Sequence, residues 1–282
     1  MPFIENPPVK VYPEGIGKLV YVDSTTSEAE PPSKWTYVRR KFIVVFLTIL
    51  AIVLSWLLFF NEVIWAILGS LTAFGFGWYY FKGQRFLGRD FFIGTEGFAV
   101  YQFSGNRENV DWKNERRFDE KLLLLHREEV VFNNGYDKTN YAFMLMQEPV
   151  EGSELEIIDE DTSYHQCPDG GDNTGDPIYD FWVRVEARLT EKGVRDAKAR
   201  WAAGESQPFY IFKKEDDGSW KLSAVMQLFS DSIQLEGKTF TREETRLDVN
   251  VLYLQKSGEE EKFTVSLQTT GNAPTLRALL KA

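Results

Sequence analysis

Residues 42 to 81 contain two uncharged stretches, each long enough to cross a lipid bilayer, and this block restricts the fold more than any other feature. Phe42 to Phe60 reads FIVVFLTILAIVLSWLLFF, nineteen residues. At about 1.5 Å per residue, a helix of that length matches the thickness of a hydrocarbon core. Asn61 and Glu62 interrupt the run. Val63 to Phe81, VIWAILGSLTAFGFGWYYF, follows with nineteen more. The two are too long to share one crossing, so a two-helix transmembrane hairpin is expected over residues 35–85, with spans at about 42–60 and 63–81.

Arg39, Arg40 and Lys41 precede the first span, Lys82, Arg85 and Arg89 follow the second, and the connecting turn carries no Lys or Arg. The positive-inside rule then puts both termini on the cytoplasmic side of an inner (plasma) membrane. Trp35, Tyr37, Trp78, Tyr79 and Tyr80 supply aromatic residues for the same interface. The competing reading, a core hairpin of a soluble protein, fits poorly with forty apolar residues set between two basic flanks. On the second helix Ala66, Ser70, Ala73 and Gly77 fall at spacings of four, three and four, a narrow face of small side chains. That face either packs inside the hairpin, answered by Ala51 and Ser55, or meets the helix of a protein partner or a second copy.

Outside this block the chain is acidic. A net charge of −10 over 282 residues excludes a general nucleic-acid binder, which needs a concentrated Lys/Arg surface. The single cysteine, Cys167, can form no intramolecular disulfide and no cysteine-based zinc site. The opening residues lack the basic and apolar regions of a signal peptide, so the first span is expected to do the targeting.

Residues 1–34 read as a polar, proline-containing arm with one strand at Gly17 to Asp23. After the membrane block, strand signals dominate: Asp90 to Gly94, Phe98 to Phe103, apolar runs at Leu122 to Leu125 and Val130 to Phe132, an Asn134-Gly135 turn, and Thr139 to Gln147. Residues 148–180 hold eleven Asp/Glu and no Lys or Arg, and are expected to form an exposed acidic insertion. Asp176-Pro177 signals a helix start, and Ile178, Phe181, Trp182, Val185 and Leu189 recur at helical spacing. That helix should run to about residue 203, either continuous or interrupted at Gly193. A second strand set, Phe209 to Thr269, closes on a short helix after Asn272. Strands ended by a helix, twice over, predict an α+β fold of two small antiparallel β domains, 86–203 and 204–282.

The stretches GRDFFIGTEGFAVYQF (88–103), VVFNNGYDKTNYAFML (130–145) and EEKFTVSLQTTGNAPTLRALL (260–280) resemble bacterial membrane proteins that carry pleckstrin-homology-like (PH-like) domains. The last resembles the closing strand and capping helix of such a domain, whose helix an Asn commonly opens. The resemblance implies that both β domains are PH-like and serve binding or assembly. It does not imply lipid-headgroup recognition, because the first loop offers mainly Arg107.

Catalytic patterns are scarce: with two histidines and no Gly-x-Ser-x-Gly, P-loop or His-Glu-x-x-His, neither catalytic nor cofactor residues are expected. Gly15-Ile-Gly17-Lys18 lacks the strand and helix of a phosphate loop and reads as a turn. His165 and Cys167 beside Asp169, Asp172 and Asp176 have the donor types of a metal site or are simply a solvated acidic segment. His126 has no activating partner in sequence. Lys113, Arg116 and Arg117 form a basic cluster that either meets anionic lipid or lies on a solvated turn. The expectation is a membrane-anchored, cytoplasmic-facing binding or scaffold protein without catalytic activity, whose partners are the lipid bilayer and a protein or second copy. The alternatives are a structural subunit docked through its helices and a metal-dependent enzyme.

Overall fold

The fold was obtained as a computed structural model and describes residues 12–25, 34–59, 62–83, 87–104, 110–132, 136–149, 155–165, 176–260 and 262–281. It is α+β, with four antiparallel sheets and four helices among the described residues. The chain divides into two compact units, one drawn from residues 1–95 and 99–115, the other from 96–98 and 116–282.

The first unit takes strand β1 (Leu19–Ser24), helices α1 (Lys34–Leu58) and α2 (Val63–Gly83), strand β2 (Leu87–Gly94) and most of strands β3 (Gly97–Ser104) and β4 (Val110–Arg117), whose ends Gly97, Phe98, Arg116 and Arg117 belong to the second. The sheet order is β1-β2-β3-β4. Ile16, Leu19, Phe92, Ala99 and Tyr101 form its core. Gly94 lets the Ile16 backbone approach so closely that a Cβ there would collide with the Ile16 carbonyl. Strand β4 was not expected: it reads VDWKNERR, with too little apolar alternation to signal a strand. Arg89, expected as a flank of the membrane block, lies inside β2, with its guanidinium 5.9 Å over the Trp112 ring.

The second unit begins with strands β5 (Leu122–Phe132), β6 (Tyr136–Gln147) and β7 (Ile157–His165), paired in that order. The runs expected separately at Leu122 and Val130 are one strand, because Arg127 pairs with Ala142 and Glu129 with Asn140 without a break in register. The Asn134-Gly135 turn lies outside the described residues. The acidic segment 148–180 is corrected on one point: it contains β7 rather than loop throughout. Asp159, Asp161 and Ser163 of β7 are buried. The Asp161 carboxylate accepts the Trp182 indole N–H at 2.8 Å, and the Ser163 hydroxyl donates to Asp176. These bonds offset the desolvation that would otherwise keep Asp161 and Ser163 at the surface.

Helix α3 (Pro177–Ala202) starts where expected: Asp176 accepts from Ile178 N at 2.9 Å and Tyr179 N at 3.5 Å, with Pro177 in the first turn. It does not break at Gly193. The glycine instead admits helix α4 (Ala273–Lys281), since a Cβ there would lie 2.8 Å from both Cγ2 and Oγ1 of Thr275. Gly193→Ala therefore should destabilise the second unit by about 1–3 kcal/mol through overpacking, reversing the roughly 1 kcal/mol that helix propensity alone offers. Thr275 Oγ1 makes no hydrogen bond, so Thr275→Ala removes the obstacle at no polar cost. Denaturant melts of the two single variants and the double variant should show the double variant recovering most of the Gly193→Ala loss.

Strands β8 (Gln207–Lys214), β9 (Trp220–Leu228), β10 (Ser232–Leu235) and β11 (Lys238–Thr241) form a sheet in order β11-β10-β9-β8. The β10–β11 turn is Glu236-Gly237, both at positive φ (49° and 78°), as a tight two-residue hairpin requires. Strands β12 (Thr245–Leu247), β13 (Val251–Gln255) and β14 (Lys262–Ser266) form the last sheet. Between α3, these sheets and α4 lies a core that includes Ala197, Met226, Leu254 and Leu276.

The expected domain boundary at 203/204 falls inside the second unit. Asn272, at φ 55°, closes the outer edge of β5: its Nδ2 donates to Leu122 O at 3.1 Å, its Oδ1 accepts from Leu124 N at 2.9 Å, and its own N–H donates to Leu124 O at 2.9 Å. Phe212 of β8 also packs with Leu123, Leu125, Met144 and Met146 of the β5-β6-β7 sheet. The two strand sets share hydrogen bonds and apolar core, which is why they form one compact unit.

Candidate functional site

Two regions stand out, the helix pair of the first unit and a polar cleft in the second. Helices α1 and α2 run antiparallel in contact: the Ser55 hydroxyl donates to Ala66 O at 3.3 Å, a Cβ on Gly69 would collide with Ser55, and one on Gly77 with Thr48. Where side chains of α2 are described, the shielded ones are Ala66, Gly69, Ser70, Ala73 and Gly77. On α1 they are Lys41, Val44, Thr48, Ile52 and Ser55. The small-residue stripe thus faces α1, where Ser55 and Thr48 fill its notches while Ala51 points outward.

The rest of the pair is bare apolar surface, with Phe42, Leu58 and Ile64 each more than 70% exposed and Phe46, Leu57, Leu71 and Phe76 more than half. Leaving such surface in water costs about 25 cal/mol per Å², so a patch of this extent marks a partner or a membrane. By length and composition, one helix among the described residues suffices to cross a membrane, at Lys41–Leu58; Val63–Trp78 is a shorter apolar stretch. Of the flanking charges, Arg39 is exposed and Lys41 half-buried, Arg40 and Lys82 lie on the helices, and Arg85 is outside the described residues.

In the second unit a cleft of about 320 Å³ is walled by β5, α3, α4, the segment between β12 and β13, and the short helical turn after β14. His126 of β5 stacks on Phe143 at 4.4 Å and is 15% exposed. Its Nδ1 lies 3.3 Å from both carboxylate oxygens of Glu186, itself 15% exposed. Its Nε2 lies 3.9 Å from Glu128. Arg277 of α4 is held through Nη2 alone, on Val249 O and on Asn250 Oδ1 at 2.8 Å. Tyr179 and Gln268 complete the polar lining, Gln268 donating to Glu128 O at 3.0 Å.

Sequence reasoning found His126 but neither Glu186 nor Arg277. The available signal was a carboxylate on the apolar stripe of α3, four residues after Trp182 and next to Val185, which a solvated helix face would not need.

Several expected features have ordinary places. Asp176 caps α3, and no group of three or more His, Cys, Asp or Glu suited to a metal occurs among the described residues. Cys167, Asp169, Asp172 and the His165 side chain lie outside them. The Lys18 amide donates to Thr95 Oγ1 at 3.1 Å, so the Gly15–Lys18 segment is a turn tied to the β2–β3 hairpin. Arg117 pairs with Glu96 and Asp119 at 3.1 Å each, Arg116 with Glu120 at 3.5 Å, and Lys113 lies 5.0 Å over the Tyr101 ring, which disperses the basic cluster. At a second cleft, of about 260 Å³, Tyr210 donates to Glu148 at 2.5 Å. Burial first, and then that carboxylate, raise its phenol above the ordinary tyrosine range.

No protein-family model matches this chain, and neither a curated protein nor a solved structure does.

Proposed function

We propose that the chain is a membrane-anchored binding or scaffold protein. In this reading α1 and α2 form a two-helix hairpin in the inner membrane, and the β units, PH-like by resemblance, are presented at its cytoplasmic face without a catalytic step of their own. The observation that carries it is the paired helices whose small side chains are spent on each other while their large apolar side chains face outward. A hydrocarbon solvent removes the cost of that surface, and Lys41 and Arg39 sit where the positive-inside rule wants charge.

A structural subunit docked through its helices is the second reading. The same geometry weighs against its simplest form, because the stripe available for close helix approach already faces α1; a partner would have to pack on the bulky outer faces.

Cysteine accessibility in intact cells tests the topology. With Cys167 replaced by Ser, Glu62→Cys in the turn between the helices should react with a membrane-impermeant maleimide from outside. Ser257→Cys, in the exposed turn after β13, should react only after lysis. Reversed labelling, or equal labelling of both sites in intact cells, would overturn the proposal.

A further inference from the structure

We infer that the His126 cleft is a binding site for a zwitterionic small molecule of the free amino-acid class, a function separate from the membrane anchor. The basis is what remains of the lining charges after internal pairing. Glu186 is taken by His126 at 3.3 Å. Among the described residues Arg277 has no carboxylate within ion-pair distance: Nη2 rests on the neutral acceptors Val249 O and Asn250 Oδ1, Nε is buried without a hydrogen bond, and Nη1 makes none. Glu128, half-exposed at 51%, has no Lys or Arg partner among the described residues, only the His126 edge at 3.9 Å.

One cleft therefore carries a guanidinium without a carboxylate on α4 and a carboxylate without a basic side chain on β5. A simple anion that reaches Arg277 meets Glu128 and Glu186, and a simple cation that reaches Glu128 meets Arg277. A ligand carrying both charges satisfies both walls: its carboxylate on the Nη1 donors that Arg277 leaves unused, its ammonium on Glu128. The volume of about 320 Å³ is at the small end of ligand sites, roughly 300–1,000 Å³, which suits a single amino acid. Tyr179 and the exposed Val249 give its side chain an apolar rim.

Two readouts on the full chain in detergent test this without reference to the membrane. One is the thermal unfolding midpoint with each free amino acid added at millimolar concentration. The other is the ring resonance of His126 in histidine-labelled protein, which contains only two histidines. At least one amino acid should raise the midpoint and move the His126 signal saturably, whereas acetate and methylammonium, each carrying half of the charge pattern, should do neither. Arg277→Gln and Glu128→Gln should each weaken binding by about tenfold or more, the loss expected for a charge-assisted contact. Should Arg277→Gln fail to fold, Glu128→Gln, on a half-exposed side chain, decides the question. The inference is overturned if no amino acid produces a saturable change, or if neither substitution weakens the one that does. Failure of the maleimide topology test leaves this result untouched, so the two proposals stand or fall apart.

Discussion

Ile49→Arg combined with Leu68→Arg should move the chain from the membrane pellet to the supernatant on alkaline carbonate extraction. Ile49 and Leu68 sit near the middle of their apolar stretches, 56% and 48% exposed, on faces turned away from the partner helix. In a bilayer each arginine there costs about 2.5–3.5 kcal/mol by insertion scales, and the two together cancel a large share of the insertion energy that the remaining apolar residues supply, the shorter stretch being left with little or none. A soluble protein predicts the opposite: an arginine on an exposed apolar face leaves its fractionation unchanged and improves its solubility. Ile49→Phe with Leu68→Phe keeps the faces apolar and should stay in the pellet. Wild-type protein that extracts with carbonate would sink the membrane anchor outright.

Trp182→Ala is expected to unfold the second unit at ordinary temperature. The indole is fully buried, parallel to Phe143 at 6.2 Å and edge-on to Phe98 at 6.1 Å and Phe181 at 5.0 Å, and it donates to the buried Asp161. Truncating a buried aromatic of this size costs about 3–5 kcal/mol. Loss of a hydrogen bond to a buried carboxylate adds roughly 1–3 kcal/mol. The sum is comparable to the whole stability of a domain, about 5–15 kcal/mol. Urea titration of the detergent-solubilised chain, read by protease susceptibility of the second unit, gives the measurement. Trp182→Phe separates the contributions, since it keeps most of the ring packing and loses only the N–H; it should retain a cooperative transition at lower urea. A Trp182→Ala protein as resistant as wild type would mean that the aromatic cluster does not hold the second unit together.

Sequence was most informative where one-dimensional pattern and physical cause coincide. The apolar runs that became α1 and α2, the Asp176-Pro177 start of α3 and the strands β8 to β11 all announce themselves through local composition. It failed where a partner from elsewhere reverses the local signal. Strand β7 buries Asp159, Asp161 and Ser163 and exposes Ile157, the inverse of an ordinary amphipathic strand; the Trp182 indole and Asp176 make the burial of Asp161 and Ser163 tolerable. Gly193 reads as a helix break only until Thr275 is placed against it. His126 was visible as a residue but not as a site, because Glu186 lies 60 positions away on α3 and Arg277 farther still. Likewise, the small-residue stripe was legible as a face, whereas the identity of its occupant required α1 in three dimensions.

The Asn272 clamp on β5 also sets an order of events in time. Its side-chain bonds join residues 148 and 150 positions apart, so β5 leaves the ribosome long before the group that closes its edge exists. At about 5–20 residues per second, that interval is on the order of ten seconds or more. Throughout it, the backbone of Leu122 and Leu124 offers an open template to any neighbouring strand. Contacts of such long sequence separation also form late for entropic reasons, so the second unit completes after synthesis of α4 rather than strand by strand. Under the proposed membrane anchoring, helices α1 and α2, made earlier, would be in the bilayer by then, and each nascent chain would wait on its own tether, at a distance from others with the same unfinished edge.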